Sequence, residues 1–242
     1  MTLSFSEFPI ILCRPQLGQN IGAVARAMHN FGFSDLRLVA PRDNWPNDEA
    51  LAMAAGAKAL VQQAQLFKSL DAALYDVHYS FALTARQSAL EKDCYAPRSA
   101  ASLAYQRSTK SQKVAFVLGC EANGLLREEL SYTHSIITIP TQPDYASLNL
   151  AQAALLICYE VFLCTLSSPA SVQETPQEAP AYSQEQEFAL QRLVALLEQR
   201  NYFRSQERKE RSIQELRSLF LRAQLSSNEL SKLQGLISQL FS

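Results

Sequence analysis

The chain has 242 residues, 48% of them apolar and 19% charged, a balance that suits one large globular domain or a medium domain with a small companion and excludes intrinsic disorder. No apolar run reaches the roughly 18–20 residues of a spanning helix, and the opening MTLSFSEFPIILCR lacks the basic start of a secretory leader, so a cytoplasmic protein without a membrane partner is expected. The five cysteines and three histidines are scattered without ligand spacing, which argues against a disulfide framework and leaves no metal expected.

The first strand-like run is FPIILCR. It leads into GQNIGAVARAMHNFGF, which holds three of the seven glycines and sets a lone Arg26 on a helix pattern, 19–31, otherwise made of small and apolar residues. DLRLVAP, VHYSFALTA, KVAFVLG and SIITIP follow as further strands, separated by helical spacing at 47–54, 69–75 and 98–108. SLNLAQAALLICYEVFLCTL, 147–166, is a long and almost wholly apolar helix pattern. Strands alternating with helices predict an α/β fold, a mostly parallel sheet with helices on both faces. Strands that read as continuous apolar runs are covered on both sides.

Residues 167–184 are rich in Pro, Ser, Gln and Glu and contain no Lys or Arg, the composition of a flexible linker. Beyond it, 185–242 carries three amphipathic helix patterns, the last opened by Ser/Asn cap candidates at 226–228. So short a helical unit is expected to dock on the first domain or on a partner chain.

Net charge is −1, and residues 1–166 hold 13 basic against 14 acidic side chains. From Arg200 to Arg222 the balance is seven basic to three acidic. This run is either a solvated, salt-bridged helix face or a phosphate-contacting surface.

There is no G-x-G-x-x-G after the first strand, no phosphate-binding P-loop and no nucleophile elbow. Four loops instead follow the carboxyl ends of strands, where open α/β sheets keep their ligands. They are GQNIGAVARA, TARQSA, CEANGL with Glu121 and Asn123, and TQPDYASLNLAQA with Tyr145, Ser147 and Asn149. One such loop is explained by helix capping. Four on one edge, each with small residues and a specific polar group, suggest a shared pocket.

NIGAVARAMHNFGFSDLRLV, VLGCEANGLLREEL and YASLNLAQA resemble the three signature motifs of the SPOUT-class RNA 2'-O-methyltransferases of the TrmH group, and within it the TrmJ family acting on tRNA cytidine/uridine 32. LRSLFLRAQLSSNELSKLQGLISQL is similar to that family's helical tail. The resemblance implies a SPOUT domain over 1–166 with a C-terminal trefoil knot, then the linker, then a helical extension over 185–242 that binds tRNA or supports a dimer. It further implies S-adenosylmethionine as cofactor, tRNA as substrate, and a homodimer with active sites at the subunit interface. Carried over by motif, Leu83, Thr84, Ala85, Gly119, Ile139, Ala146, Ser147 and Leu148 would hold the cofactor. Arg26 and Ser147 would be catalytic, with Arg26 either taking part in deprotonation or, since guanidinium stays protonated, clamping a phosphate. Asn20, Arg86, Glu121, Asn149, Arg204, Arg208 and Arg211 would contact RNA or hold the motifs together. Cys120 and Ser88 stand where relatives usually carry arginine. The same chemistry on another tRNA position or on rRNA, and an RNA-binding SPOUT protein of little or no activity, are the alternatives.

Overall fold

The computed structural model describes residues 5–42, 45–85, 90–142, 144, 147–167 and 179–241. Seven strands form one sheet: β1 (Ile10–Cys13), β2 (Leu36–Val39), β3 (Gln65–Phe67), β4 (Tyr79–Leu83), β5 (Cys94–Tyr95), β6 (Val114–Leu118) and β7 (Ser135–Ile137). Their order is β3-β2-β1-β6-β4-β7-β5, and every pairing is parallel. The expected parallel sheet is therefore present.

Each central strand is buried along its whole length, and its residues alternate between two cores. Ile10, Leu12, Leu36, Leu38, Phe81, Val114 and Phe116 face the helices α1 (Gly18–Asn30) and α7 (Leu150–Ser167). Ile11, Cys13, Val39, Ala82, Ala115 and Val117 face the opposite layer, with α4 (Leu70–Ala73) and α6 (Arg127–Ser131). The remaining helices of the sheet domain are α2 (Asp48–Met53), α3 (Lys58–Gln62) and α5 (Pro97–Ser108). Among the described residues no helix is long and apolar enough to cross a membrane.

At the amino ends of the strands a charged cluster closes the sheet. Arg37, 1% exposed, donates to Asp35, to both oxygens of Asp76 and to the Ala73 carbonyl, while Lys113 also donates to Asp76 at 2.5 Å. This leaves the carboxyl ends of β6, β4 and β7, beside β1, as the open edge. The chain runs from β1 through β2 to the β3 edge, crosses to β4 and the opposite edge at β5, and then returns inward as β6 beside β1 and β7 beside β4. The order therefore reverses next to β1, the switch point at which α/β sheets hold ligands.

Of the residues expected to form a linker, 168–178 lie outside the described residues, and 179–184 run into α8 (Ser183–Gln199). Ala181 N donates to the Leu225 carbonyl and Ser183 N to the Val77 carbonyl, so this end is held against both the tail and the sheet domain. α9 (Gln206–Ala223) starts earlier than its apolar pattern suggests because Ser205 caps it, accepting from Arg208 N at 3.3 Å. α10 (Ser227–Phe241) opens with the reciprocal Ser226–Glu229 capping box. The three helices pack around Ala189, Phe220 and Leu230.

Docking of the tail centres on Arg217, which is 8% exposed. Its guanidinium donates to both Glu187 oxygens at 2.7 and 2.9 Å and to Ser131 Oγ at 3.0 Å, and lies 3.9 Å from the Tyr132 ring centroid. Ser131 and Tyr132 belong to the sheet domain, so one arginine ties α9 to α8 and to α6.

Candidate active site

At the open edge a cleft of about 430 Å³ lies among the loops that follow β4, β6 and β7 and the start of α7. Leu83, Thr84 and Ala85 line one side, Leu118 to Gly124 the floor, and Ile139, Ser147 and Leu148 the far wall. Seven of the eight residues expected to hold a cofactor therefore meet in one cavity; Ala146 lies outside the described residues. Its size is that of an ordinary small-molecule site.

The floor is a tight turn made by CEANG. Gly124, at φ 65°, donates its N–H to the Cys120 carbonyl at 2.9 Å. Gly119 packs beneath the turn: a Cβ there would sit 2.1 Å from the Gly124 carbonyl carbon and 2.2 Å from Leu125 N. Only glycine permits that approach.

Glu121 leaves this turn toward α1. Its carboxylate accepts from Asn20 Nδ2 at 2.7 Å, Gln16 N at 2.9 Å and Leu17 N at 3.2 Å. Partial burial pushes its pKa up, but the hydrogen bonds from Asn20 and the backbone outweigh this and hold the carboxyl below its ordinary value. α1 has no side-chain cap of its own, and Glu121 places an anion at its positive end instead. Asn20 Oδ1 in turn accepts from Asn149 Nδ2 at 3.1 Å, and Asn149 Oδ1 caps α7 by accepting from Ala151 N at 2.8 Å. One line of hydrogen bonds thus joins the loops after β1 and β6 to the start of α7.

A second brace escaped the sequence reading. Arg14, directly after β1 and in the left-handed region at φ 51°, donates to both Glu129 oxygens at 2.8 Å and to the Gly124 carbonyl at 3.1 Å. Its third nitrogen reaches Cys120 Sγ at 3.7 Å. Glu129 also accepts from Leu126 N at 2.6 Å. The two charged residues cross: Arg14 from the first loop grips the β6 loop, and Glu121 from the β6 loop grips the first. The available signal was an arginine at the carboxyl end of an apolar strand, but its partners lie more than 100 residues away.

Residues 7–159 match the SpoU rRNA Methylase family. The chain belongs to that family. It is 35% identical to the tRNA (cytidine/uridine-2'-O-)-methyltransferase TrmJ of Pectobacterium atrosepticum, over 95% of this chain and 94% of that one. The Escherichia coli K12 protein of the same name is 32% identical over 96% and 94%. The crystal structure of TrmJ from Z. mobilis ZM4 superposes with a TM-score of 0.87 at 37% identity, covering 97% of this chain and 99% of that one. The SpoU methyltransferase AviRb from Streptomyces viridochromogenes in complex with AdoMet shares the fold, with a TM-score of 0.52 at 18% identity over 66% of this chain and 58% of that one.

Arg26 does not line the cleft. It is exposed on α1 and, among the described residues, has no hydrogen-bonding or ionic partner. α7, which packs against α1, exposes Leu155, Leu156 and Tyr159. Arg86 and Ser88 lie outside the described residues. In the tail, Arg204 and Arg208 are exposed without partners among the described residues, and Arg211 pairs with Glu215 at 2.8 Å on its own helix. The rest of the basic run divides otherwise: Arg217 is the buried tie described above, Lys209 pairs with Glu198, and Arg222 reaches Glu91 at 3.3 Å. Among the described residues no cluster of His, Cys, Asp or Glu could hold a metal ion.

Proposed function

We propose that this SpoU-family chain is an S-adenosylmethionine-dependent tRNA ribose 2'-O-methyltransferase that acts as a homodimer on the anticodon loop, at a cytidine or uridine in position 32. The observation that carries the reading is the line Glu121–Asn20–Asn149, which binds three motif loops together beside a cleft of ligand size. Near full-length likeness to proteins named as tRNA (cytidine/uridine-2'-O-)-methyltransferases supports the substrate class, and likeness to the TrmJ crystal structure supports a knotted C-terminal part of the sheet domain, 1–166, with the helical extension at 185–242.

The cleft suits the cofactor by its make-up. Leu83, Ile139 and Leu148 offer apolar walls for a purine, and the turn above Gly119 offers bare backbone for polar groups. Thr84, Ala85, Ala146 and Ser147 complete the set that would hold it. When bound, S-adenosylmethionine supplies a methyl group on a sulfonium.

The residues of the chain do the rest. Arg26, permanently charged, clamps a phosphate of the target nucleotide, aims its 2'-hydroxyl and stabilises the negative charge that grows as the proton leaves. Ser147, exposed at the rim, takes that proton onto its hydroxyl oxygen as it releases its own to water. Because Arg26 stands outside the cleft of its own chain, beside the exposed apolar face of α7, pairing of two copies through that face accounts for both observations. Arg86 and the tail arginines then guide the RNA.

The test is transfer of labelled methyl from S-adenosylmethionine to tRNA lacking anticodon-loop 2'-O-methyl groups, with mass-spectrometric mapping. Label on the ribose of nucleotide 32 is expected. Label on another nucleotide or on rRNA alone would correct the target, and cofactor binding without transfer to any RNA would reduce the chain to a binding protein.

A further inference from the structure

The corner between α8 and α9 carries features that neither the cleft nor the core uses. After α8, Asn201 takes a left-handed φ of 53°, its N–H donating to the Glu198 carbonyl at 2.9 Å, and Tyr202 N donates to the Leu197 carbonyl at 3.0 Å. The chain therefore turns sharply and sets the Tyr202 side chain in solvent, 63% exposed. Phe203, half-buried, meets that ring edge-on, with centroids 5.2 Å apart and planes at 85°. The Lys209–Glu198 ion pair fastens the start of α9 to the end of α8. The tyrosine is thus presented by a braced corner.

Its surroundings are cationic. Arg204 and Arg208, whose side chains are exposed and unpartnered among the described residues, follow it two and six residues on, and Arg211 pairs with Glu215 along its own exposed face. The first turn of the 18-residue α9, with its positive end, opens at the same corner. Glu207 lies in that turn, and Glu210, one turn on, accepts from Gln206 at 3.1 Å. An exposed aromatic ring followed within one corner by two exposed guanidinium groups matches the two halves of a single-stranded nucleotide, whose base stacks on a ring face while its phosphates take the charges. Phe203 is the apolar neighbour of the ring, and the chain beyond it, Arg204, Ser205 and Gln206, is polar, which favours a nucleotide over an apolar protein surface.

We propose that Tyr202, with Arg204 and Arg208, seats an unpaired nucleotide of the RNA substrate, the base against the tyrosine ring and the adjoining phosphates on the arginines. The proposal rests on the tRNA reading above and adds to it a second, catalytically silent contact.

The experiment uses the full chain and three variants: Tyr202→Ala, Tyr202→Trp and the double Arg204→Ala/Arg208→Ala. Affinity for tRNA is measured across a range of salt, together with methylation kinetics and oligomeric state. Tyr202→Ala is expected to weaken tRNA binding about 5- to 140-fold, the range for loss of one stacked base. It should raise KM for tRNA, leave kcat in place and leave the salt slope unchanged. Tyr202→Trp should restore affinity, and its fluorescence should be quenched by tRNA beyond any response of the single native tryptophan, Trp45. The double arginine variant should instead flatten the salt slope by about 1.4, roughly 0.7 for each phosphate released. Affinity of Tyr202→Ala within twofold of the unmodified chain would overturn the seat while leaving the methyltransferase reading intact. A change of oligomeric state in Tyr202→Ala would overturn it in favour of a protein contact. Failure of the unmodified chain to bind tRNA at all would remove both readings together.

Discussion

Arg14→Ala asks whether the floor of the cleft is held in place from the first strand. The guanidinium makes two 2.8 Å bonds to Glu129 and one of 3.1 Å to the Gly124 carbonyl. An exposed ion pair contributes less than about 1 kcal/mol, and removal of one partner from a buried pair costs about 3–5 kcal/mol. With side chains 32% and 12% exposed, the Arg14–Glu129 pair lies between these limits, and charge-assisted hydrogen bonding of this kind sets the loss near 2 kcal/mol. In a chain of 242 residues that loss lowers the unfolding temperature by about 4–8 °C. If most of it is spent on the Cys120–Gly124 turn, affinity for S-adenosylhomocysteine falls at least about tenfold. Calorimetric titration with that analogue, paired with a thermal scan, separates the two effects. Arg14→Lys keeps the charge without the two-pronged geometry and should recover less than half of the affinity. A fall in unfolding temperature with unchanged analogue affinity would refute the brace as a device of the site and leave it a device of the fold. No change in either would refute it altogether.

Three further outcomes follow from the same geometry. Arg26→Ala should abolish methyl transfer and leave S-adenosylhomocysteine affinity within about twofold, read by filter assay and titration; persistent transfer would remove Arg26 from the chemistry. Burial holds His134 well below its ordinary pKa, and burial likewise lowers His78, so both are kept neutral in the fold. The stability His134 contributes is fully present above the unfolded value near 6.5 and is lost as pH falls below it, by up to about 1.4 kcal/mol per pH unit, with His78 adding in the same direction; urea midpoints flat between pH 7 and 5 would contradict this. Arg217→Met leaves the half-buried Glu187 unpaired and should destabilise the tail's docking by about 2–3 kcal/mol, seen as early proteolysis between the sheet domain and α8; unchanged cleavage would show that the tail is held by other means.

The central strands were readable because doubly covered parallel strands are continuous apolar runs, and β1, β2, β4, β6 and β7 all lie within predicted segments. The edge strands β3 and β5 were not, since three residues of mostly exposed Gln65–Phe67 and two of Cys94–Tyr95 carry too little pattern to distinguish from loop. The loops of the cleft were recognisable from their spacing of small residues, and the burden on Gly119 is now visible as a backbone contact that no side chain could share. Arg14 and Arg217 were not recognised, for one reason. Their partners are brought to them by the sheet and the helical tail, and a side chain's role in joining distant segments leaves no local periodicity.

The same distinction explains how a chain of net charge −1 can meet a polyanion. Formal charge counts every guanidinium alike, whereas the fold assigns them different work. Arg14, Arg37 and Arg217 are engaged with Glu129, with Asp35 and Asp76, and with Glu187, inside or between structural units. Each such pair adds nothing to the sum and nothing to the outer field. Arg26, Arg204 and Arg208 have no carboxylate partner among the described residues and face outward. A polyanion meets outward-facing groups such as these, at separated points, and not the average of the whole surface. The affinity such a surface supports is modest in its salt dependence, because few counterions are displaced. Recognition must then draw on contacts that salt does not screen, which is the role left for an exposed aromatic ring beside two free arginines.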